Sequence, residues 1–171
     1  MTARKVTNVV IAGLGGQGVL TCGDILAEAA FRGGADVKKA EIHGMSQRGG
    51  SVACDVRFGV DVRSPMVPVG LAHFLLVLNE DQVEFARAVL AGDGVLLTPA
   101  GIDADMLASK RCLNVAVLGL LSLRLDIDQQ HWHDAIGAVM PEKLHEANLQ
   151  AFQVGRGAGR IPSSHKESAN E

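Results

Sequence analysis

Between Gly13 and Gly18 the sequence reads GLGGQG, with Gly13, Gly15 and Gly18 at G-x-G-x-x-G spacing. The chemistry such a loop offers is anion binding. Glycines permit a tight turn and close approach of a phosphate, and the amino end of a following helix presents unpaired N–H donors. Gly13, Gly15, Gly16, Gln17 and Gly18 are therefore candidate cofactor-binding residues. The same glycines could serve only to let a helix pack closely on a sheet, and the sequence leaves both readings open. A dinucleotide site would also want an acidic residue about 20 positions on, at the end of the second strand. Asp36 begins that strand and Glu41 comes later than expected.

A second polar cluster lies in EIHGMSQRGGSV, residues 41–52. His43, Gln47, Arg48, Gly49, Gly50 and Ser51, with Ser46, crowd donors beside two glycines where the second strand should end. A guanidinium can grip phosphate or carboxylate bidentately, and glycine lets the anion reach the backbone. A surface arginine in a turn is the plainer reading of Arg48, and a packed or solvated ring that of His43. No further histidine, carboxylate or serine stands at triad spacing, so no catalytic acid, base or nucleophile is assigned.

Metal chemistry has little support. His131 and His133 flank Trp132, and Glu142 and His145 fall one turn apart, but two residues do not make a ligand set, and solvated helix faces are the default. Cys22, Cys54 and Cys112 are widely spaced and odd in number, which argues against a disulfide framework, a zinc site or an iron–sulfur cluster held by this chain alone. Small buried thiols fit them better.

The elements that must position these loops follow from periodicity. Residues 6–12 form an apolar, β-branched run, and Leu20, Ile25, Leu26 and Ala29 recur at helical spacing, so strand, glycine turn and helix succeed one another. A second strand is expected over 36–42, and a third over 51–59, where Val52, Cys54, Val56 and Phe58 alternate with polar residues. Residues 61–68, with Pro65 and Pro68, read as a loop. Residues 74–78 read as a strand covered on both faces, followed by a helix from Glu80 to about Ala91 and a strand over 95–98. Helices are expected over 115–125, after Asp128, and from Pro141 through Phe152. The expectation is an α/β chain: a three-layer α/β/α Rossmann-like domain with a mostly parallel sheet and a helical C-terminal part. In such a sheet both loops belong on the rim at the strand carboxyl ends and would share one site. Residues 1–155 should form this single domain, and 156–171 a tail, disordered or partner-binding.

The bulk composition agrees. At 171 residues, 47% hydrophobic and 20% charged, the chain can bury roughly two-thirds of its unfolded surface around one core. A net charge of −3 supplies no basic field for nucleic acid or an anionic membrane. No apolar run approaches the roughly 18 to 20 residues of a membrane span, and the start runs straight into a strand, so a cytoplasmic protein is expected.

Taken together, NVVIAGLGGQGVLTCGDILAEAA, EIHGMSQRGGSVACDVRFG, SPMVP and HEANLQAFQVG resemble the gamma subunit of the 2-oxoacid:ferredoxin oxidoreductases over about residues 8–155. The unbroken HGMSQRGGS favours the small subunit of the indolepyruvate branch. The resemblance implies an accessory subunit that is silent alone. Its expected partner is a large catalytic subunit containing thiamine diphosphate and iron–sulfur clusters, which oxidatively decarboxylates a 2-oxoacid and passes electrons to ferredoxin. The resemblance further implies coenzyme A near Gly15, Gly16, Gly18 and Arg48, and leaves open a homodimer of the isolated chain. Two features depart from the family pattern: His73 replaces a common aspartate, and the connection from Val95 to Asn114 looks short. A stand-alone NAD- or ATP-binding module and a purely structural adaptor remain the competing readings.

Overall fold

The computed structural model describes residues 6–44 and 50–160. Five strands form one sheet: β1 (Val6–Leu14), β2 (Asp36–His43), β3 (Ser51–Gly59), β4 (Ala72–Val77) and β5 (Leu90–Leu97), in the order β2-β3-β1-β4-β5. β4 lies parallel to β1 and β5 parallel to β4, whereas β3 is antiparallel to both β1 and β2. Four strands thus share one direction and β3 alone is reversed. The sheet is therefore mixed, with one reversed strand in the mostly parallel pattern that the sequence predicts. The reason is the length of the β2–β3 connection: residues 44–50 are too few for a crossover, which takes a dozen or more, so the chain must return alongside itself.

One face of the sheet is built by the long helices. α1 (Val19–Arg32) lies over β1, β2 and β3 and inserts Cys22, Ile25, Leu26 and Ala29 against Val9, Ile11, Cys54 and Val56. α3 (Leu113–Ser122) is apolar all round and buried on nearly every side, between α1, β5 and α5 (His145–Arg160). α4 (Gln129–Val139) docks on α1, bringing Trp132 and Ile136 into the same core. Each fully buried Leu or Ile here contributes about 1.5–3 kcal/mol relative to exposure. Asp128 caps α4 as its position in the sequence suggests, its side chain accepting from the Gln130 N–H at 3.0 Å.

The opposite face is thinner. Val10, Ala12, Leu75 and Val77 are covered by Val67 and by the single turn α2 (Val83–Ala86) with its flanking 3-10 turns. The helix expected to Ala91 stops short because β5 begins at Leu90, which pairs with Ala72. Leu90 takes an extended backbone there, so pairing to β4 overrides local helical spacing. Between β5 and α3 the short connection holds no strand but two 3-10 turns, Ala104–Met106 and Lys110–Cys112, capped by Asp103 and Ser109.

The C-terminal boundary also differs from the sequence reading. α5 continues through Gly155 to Arg160, so residues 156–160 belong to the folded domain and not to a tail. Two of the small residues in the stretch 155–160, Gly155 and Gly159, are small because they pack closely. A Cβ at Gly155 would strike the Ala116 carbonyl, and one at Gly119 the Phe152 carbonyl, so α3 and α5 meet backbone to backbone. Arg156 donates to the Ser122 hydroxyl at 2.8 Å and lies over the Phe152 ring. Residues 161–171 lie outside the described residues.

Candidate functional site

The glycine loop caps the carboxyl end of β1 and leads directly into α1. Gln17 folds back: its Oε1 accepts from the Leu14 N–H at 2.7 Å and its N–H donates to the Leu14 carbonyl at 3.2 Å. Gln17 therefore closes the turn. Gly13 is set by packing, since a Cβ would lie 2.9 Å from that same Oε1 and 3.0 Å from Val19 Cγ2. Gly16 and Gly18 hold φ of 86° and 79°, the left-handed region that glycine tolerates best. Gly18 is the N-cap of α1, supplies no side-chain cap, and is followed by a first turn without acidic residues. The opening N–H groups of α1 thus lack a side-chain acceptor.

The second loop meets the first as the sequence reading expects. The Gly15 N–H donates to the Gly50 carbonyl at 3.0 Å, so the two glycine segments touch across the rim. His43, at the end of β2, shares a shallow depression of about 410 Å³ with Gly15, Gly16, Thr21 and Val52. Its ring is 61% exposed and stands 3.9 Å from Glu41. Ser51 turns away, its hydroxyl donating to Gln82 Oε1 at 2.7 Å. Gln47, Arg48 and Gly49, together with Ser46, lie outside the described residues.

On the other side of the glycine loop opens a cleft of about 830 Å³. Its near wall is Gly16, Gln17, Gly18 and Thr21, and its far wall is Ser109, Lys110, Arg111 and Asn114, with Met140, Leu144 and Asn148 along its apolar and polar flank. Asn114 ties the walls together: its amide donates to the Gly18 carbonyl at 3.3 Å while its Oδ1 accepts from the Val115 N–H at 2.9 Å. The sequence reading did not single out the far wall. Its one local signal is SKRC before an apolar helix, a serine cap followed by two cations where acids are usual.

The acids that a ribose would need are engaged elsewhere. Asp36 accepts from the Val62 N–H at 2.8 Å. Glu41 accepts from Lys39 at 2.7 Å, and Lys39 also pairs with Asp24. Burial would depress the Lys39 ammonium, but these carboxylates outweigh it and raise its pKa to about 12, while Lys39 holds Glu41 below the usual carboxylate range. β3 also separates β1 from β2, which are neighbours in the dinucleotide-binding strand order.

The three cysteines are buried and free. Burial raises all three thiol pKa values, that of Cys54 to about 12 despite nearby Lys39, so none is a ready thiolate ligand. Among the described residues no group of three or more His, Cys, Asp and Glu is placed to hold a metal ion. His133 instead contacts Gln129 and Gln153, and His145 the Met140 carbonyl. His73, within β4, accepts at Nδ1 from the Asn8 N–H, 2.9 Å away, and so serves the β1–β4 junction.

Comparison with known proteins decides the family. The model of the pyruvate ferredoxin/flavodoxin oxidoreductase family matches residues 8–158. The chain belongs to this family. The match runs past Gly155, in keeping with the full extent of α5. The indolepyruvate oxidoreductase subunit IorB of Archaeoglobus fulgidus is 33% identical, covering 86% of this chain and 92% of its own. Among solved structures, the gamma subunit of a keto/oxoacid ferredoxin oxidoreductase from Geobacter sulfurreducens superposes with a TM-score of 0.71 at 24% identity, over 90% of this chain and 98% of its own. A 2-oxoglutarate:ferredoxin oxidoreductase from Magnetococcus marinus, solved with 2-oxoglutarate, coenzyme A and succinyl-CoA, gives 0.78 at 19% identity, over 91% of this chain and 31% of its own. This oxidoreductase-family chain thus shares its fold both with a free-standing gamma subunit and with part of a larger chain. No helix among the described residues is long and apolar enough to cross a membrane.

Proposed function

We propose that this chain is the small accessory subunit of an indolepyruvate-type 2-oxoacid:ferredoxin oxidoreductase, silent alone and active only beside a large catalytic subunit. The similarity to IorB over 92% of that subunit's length carries the reading. Thiamine diphosphate and the iron–sulfur clusters belong to the partner, a division supported by three buried, high-pKa thiols that offer no cluster ligand set. Ferredoxin is then met only through that partner.

Coenzyme A is the cofactor this reading assigns to the chain. When bound it supplies the thiol that accepts the acyl group. The chain's share is to hold the phosphates: Gly16 exposes backbone where no side chain intervenes, and the uncapped start of α1 donates to an anion. Gly15, bonded to Gly50, keeps the loop in place. On this reading His43 stands beside the same loop, and Arg48 supplies a guanidinium of the chemistry that suits a phosphate.

Co-expression of the tagged chain with the neighbouring reading frames of its source tests the proposal. The expected product is a brown complex containing a large thiamine-dependent subunit, which reduces ferredoxin with an arylpyruvate only when coenzyme A is present. Turnover by the purified chain alone, or a solitary colourless protein that binds NAD or ATP tightly, would overturn it.

A further inference from the structure

The far wall of the 830 Å³ cleft contains an electrostatic conflict. Lys110 and Arg111 occupy the 3-10 turn that runs directly into α3, at the amino end of a helix, where the aligned peptide dipoles already place partial positive charge. Acidic residues normally occupy such positions. Neither cation has an ion-pair partner among the described residues, and both are exposed to the cleft. Across the cleft stands the start of α1, also without an acid in its first turn and without a side-chain cap. Two walls of one cavity thus present unneutralised positive potential to the same space. Local rules broken together in one cavity mark a site whose missing partner is an anion.

We infer that Lys110 and Arg111 form a second anion subsite, which takes the 3′-phosphate of coenzyme A while the glycine loop takes the diphosphate. The inference rests on the coenzyme A reading above and adds a specificity determinant to it. Coenzyme A carries negative charge at two places, a diphosphate and a ribose 3′-phosphate, separated by one sugar. The 3′-phosphate bears between one and two charges at neutral pH. One helix end, equivalent to about half a positive charge, cannot balance both. A guanidinium fork with an ammonium beside it suits a terminal phosphate monoester, and a cleft of this volume is in the range that encloses a cofactor head group. Ser109, whose Oγ accepts from the Arg111 N–H at 3.2 Å, holds the turn that presents both cations.

Calorimetric titration of the co-purified complex with coenzyme A and with 3′-dephospho-coenzyme A tests this, using wild type and a Lys110→Ala/Arg111→Ala double variant whose subunit stoichiometry is checked first. Wild type should bind coenzyme A about tenfold or more tightly than the dephospho form, the scale of one charge-assisted contact. The double substitution should weaken coenzyme A by a similar factor and leave the dephospho form within about twofold, because the cations and the 3′-phosphate are coupled. If both ligands weaken equally, or if wild type does not discriminate, the subsite assignment is wrong while the coenzyme A reading stands. If wild type binds neither ligand, or no complex forms, both readings fall together.

Discussion

Alanine substitution at the two left-handed glycines of the first loop separates backbone strain from crowding. Gly16 and Gly18 have nearly the same φ, 86° and 79°. A Cβ at Gly16 meets nothing within 4 Å, whereas at Gly18 it would collide with the Asn114 side-chain amide. Forcing an L-residue into the left-handed region costs about 1–2 kcal/mol, and overpacking a filled site adds about 1–3 kcal/mol. Gly16→Ala should therefore destabilise the full chain by about 1–2 kcal/mol and Gly18→Ala by about 2–5 kcal/mol. Urea unfolding, followed by the emission of the one tryptophan, buried Trp132, measures both. Asn114→Ala alone removes the bonds to Gly18 and Val115 and should cost about 1–3 kcal/mol. In that background Gly18→Ala should fall to the cost of strain alone, about 1–2 kcal/mol, and the difference is the coupling across the cleft. Equal costs for the two glycines, or a Gly18→Ala cost unchanged in the Asn114→Ala background, would refute the claim that Asn114 closes against the loop.

Other consequences follow from packing and charge. Gly155→Ala drives a methyl into the Ala116 backbone, which cannot swing aside, and should cost more than about 3 kcal/mol, whereas Gly157→Ala on the same helix, with nothing within 4 Å, should be neutral or stabilising in the same unfolding assay. The native chain should show no thiol reactive towards a disulfide reagent at pH 8, since all three cysteines are buried with raised pKa values, and three once urea unfolds it; a fast-reacting native thiol would contradict the burial described. Asp55 is 4% exposed, and burial raises its carboxyl pKa against the opposing Val67 N–H and Arg57. The folded state therefore holds that proton longer than the unfolded state, and stability from this group declines as pH rises from the ordinary aspartate value through the raised folded one. Asp55→Asn should remove that decline, so its melting temperature should improve relative to wild type between acid and neutral pH.

Much of the architecture was legible from local spacing. The β1 run, the glycine turn and the α1 stripe lie within one stretch of chain, and their pattern depends on neighbours at most a few positions away. The meeting of the two glycine loops was also readable, because strand carboxyl ends share a rim whatever fills the interior. The reversal of β3 could have been read from the short 44–50 connection, but alternation along 51–59 says only that one face is buried and carries no direction. Two other features required the folded chain. The small, polar stretch that begins at Gly155 looks like a tail until α3 is present, because the value of Gly155 is the absence of a Cβ against the Ala116 backbone. Likewise Lys110 and Arg111 look like ordinary surface charges in a loop. Only the packing that brings Asn114 against Gly18, 96 positions away, sets them opposite the start of α1 and turns two helix ends into one positive cleft. Local periodicity determines which segments become elements, since it reflects each segment's own burial. The site depends on contacts between segments distant in the chain, whose geometry no single window of sequence contains.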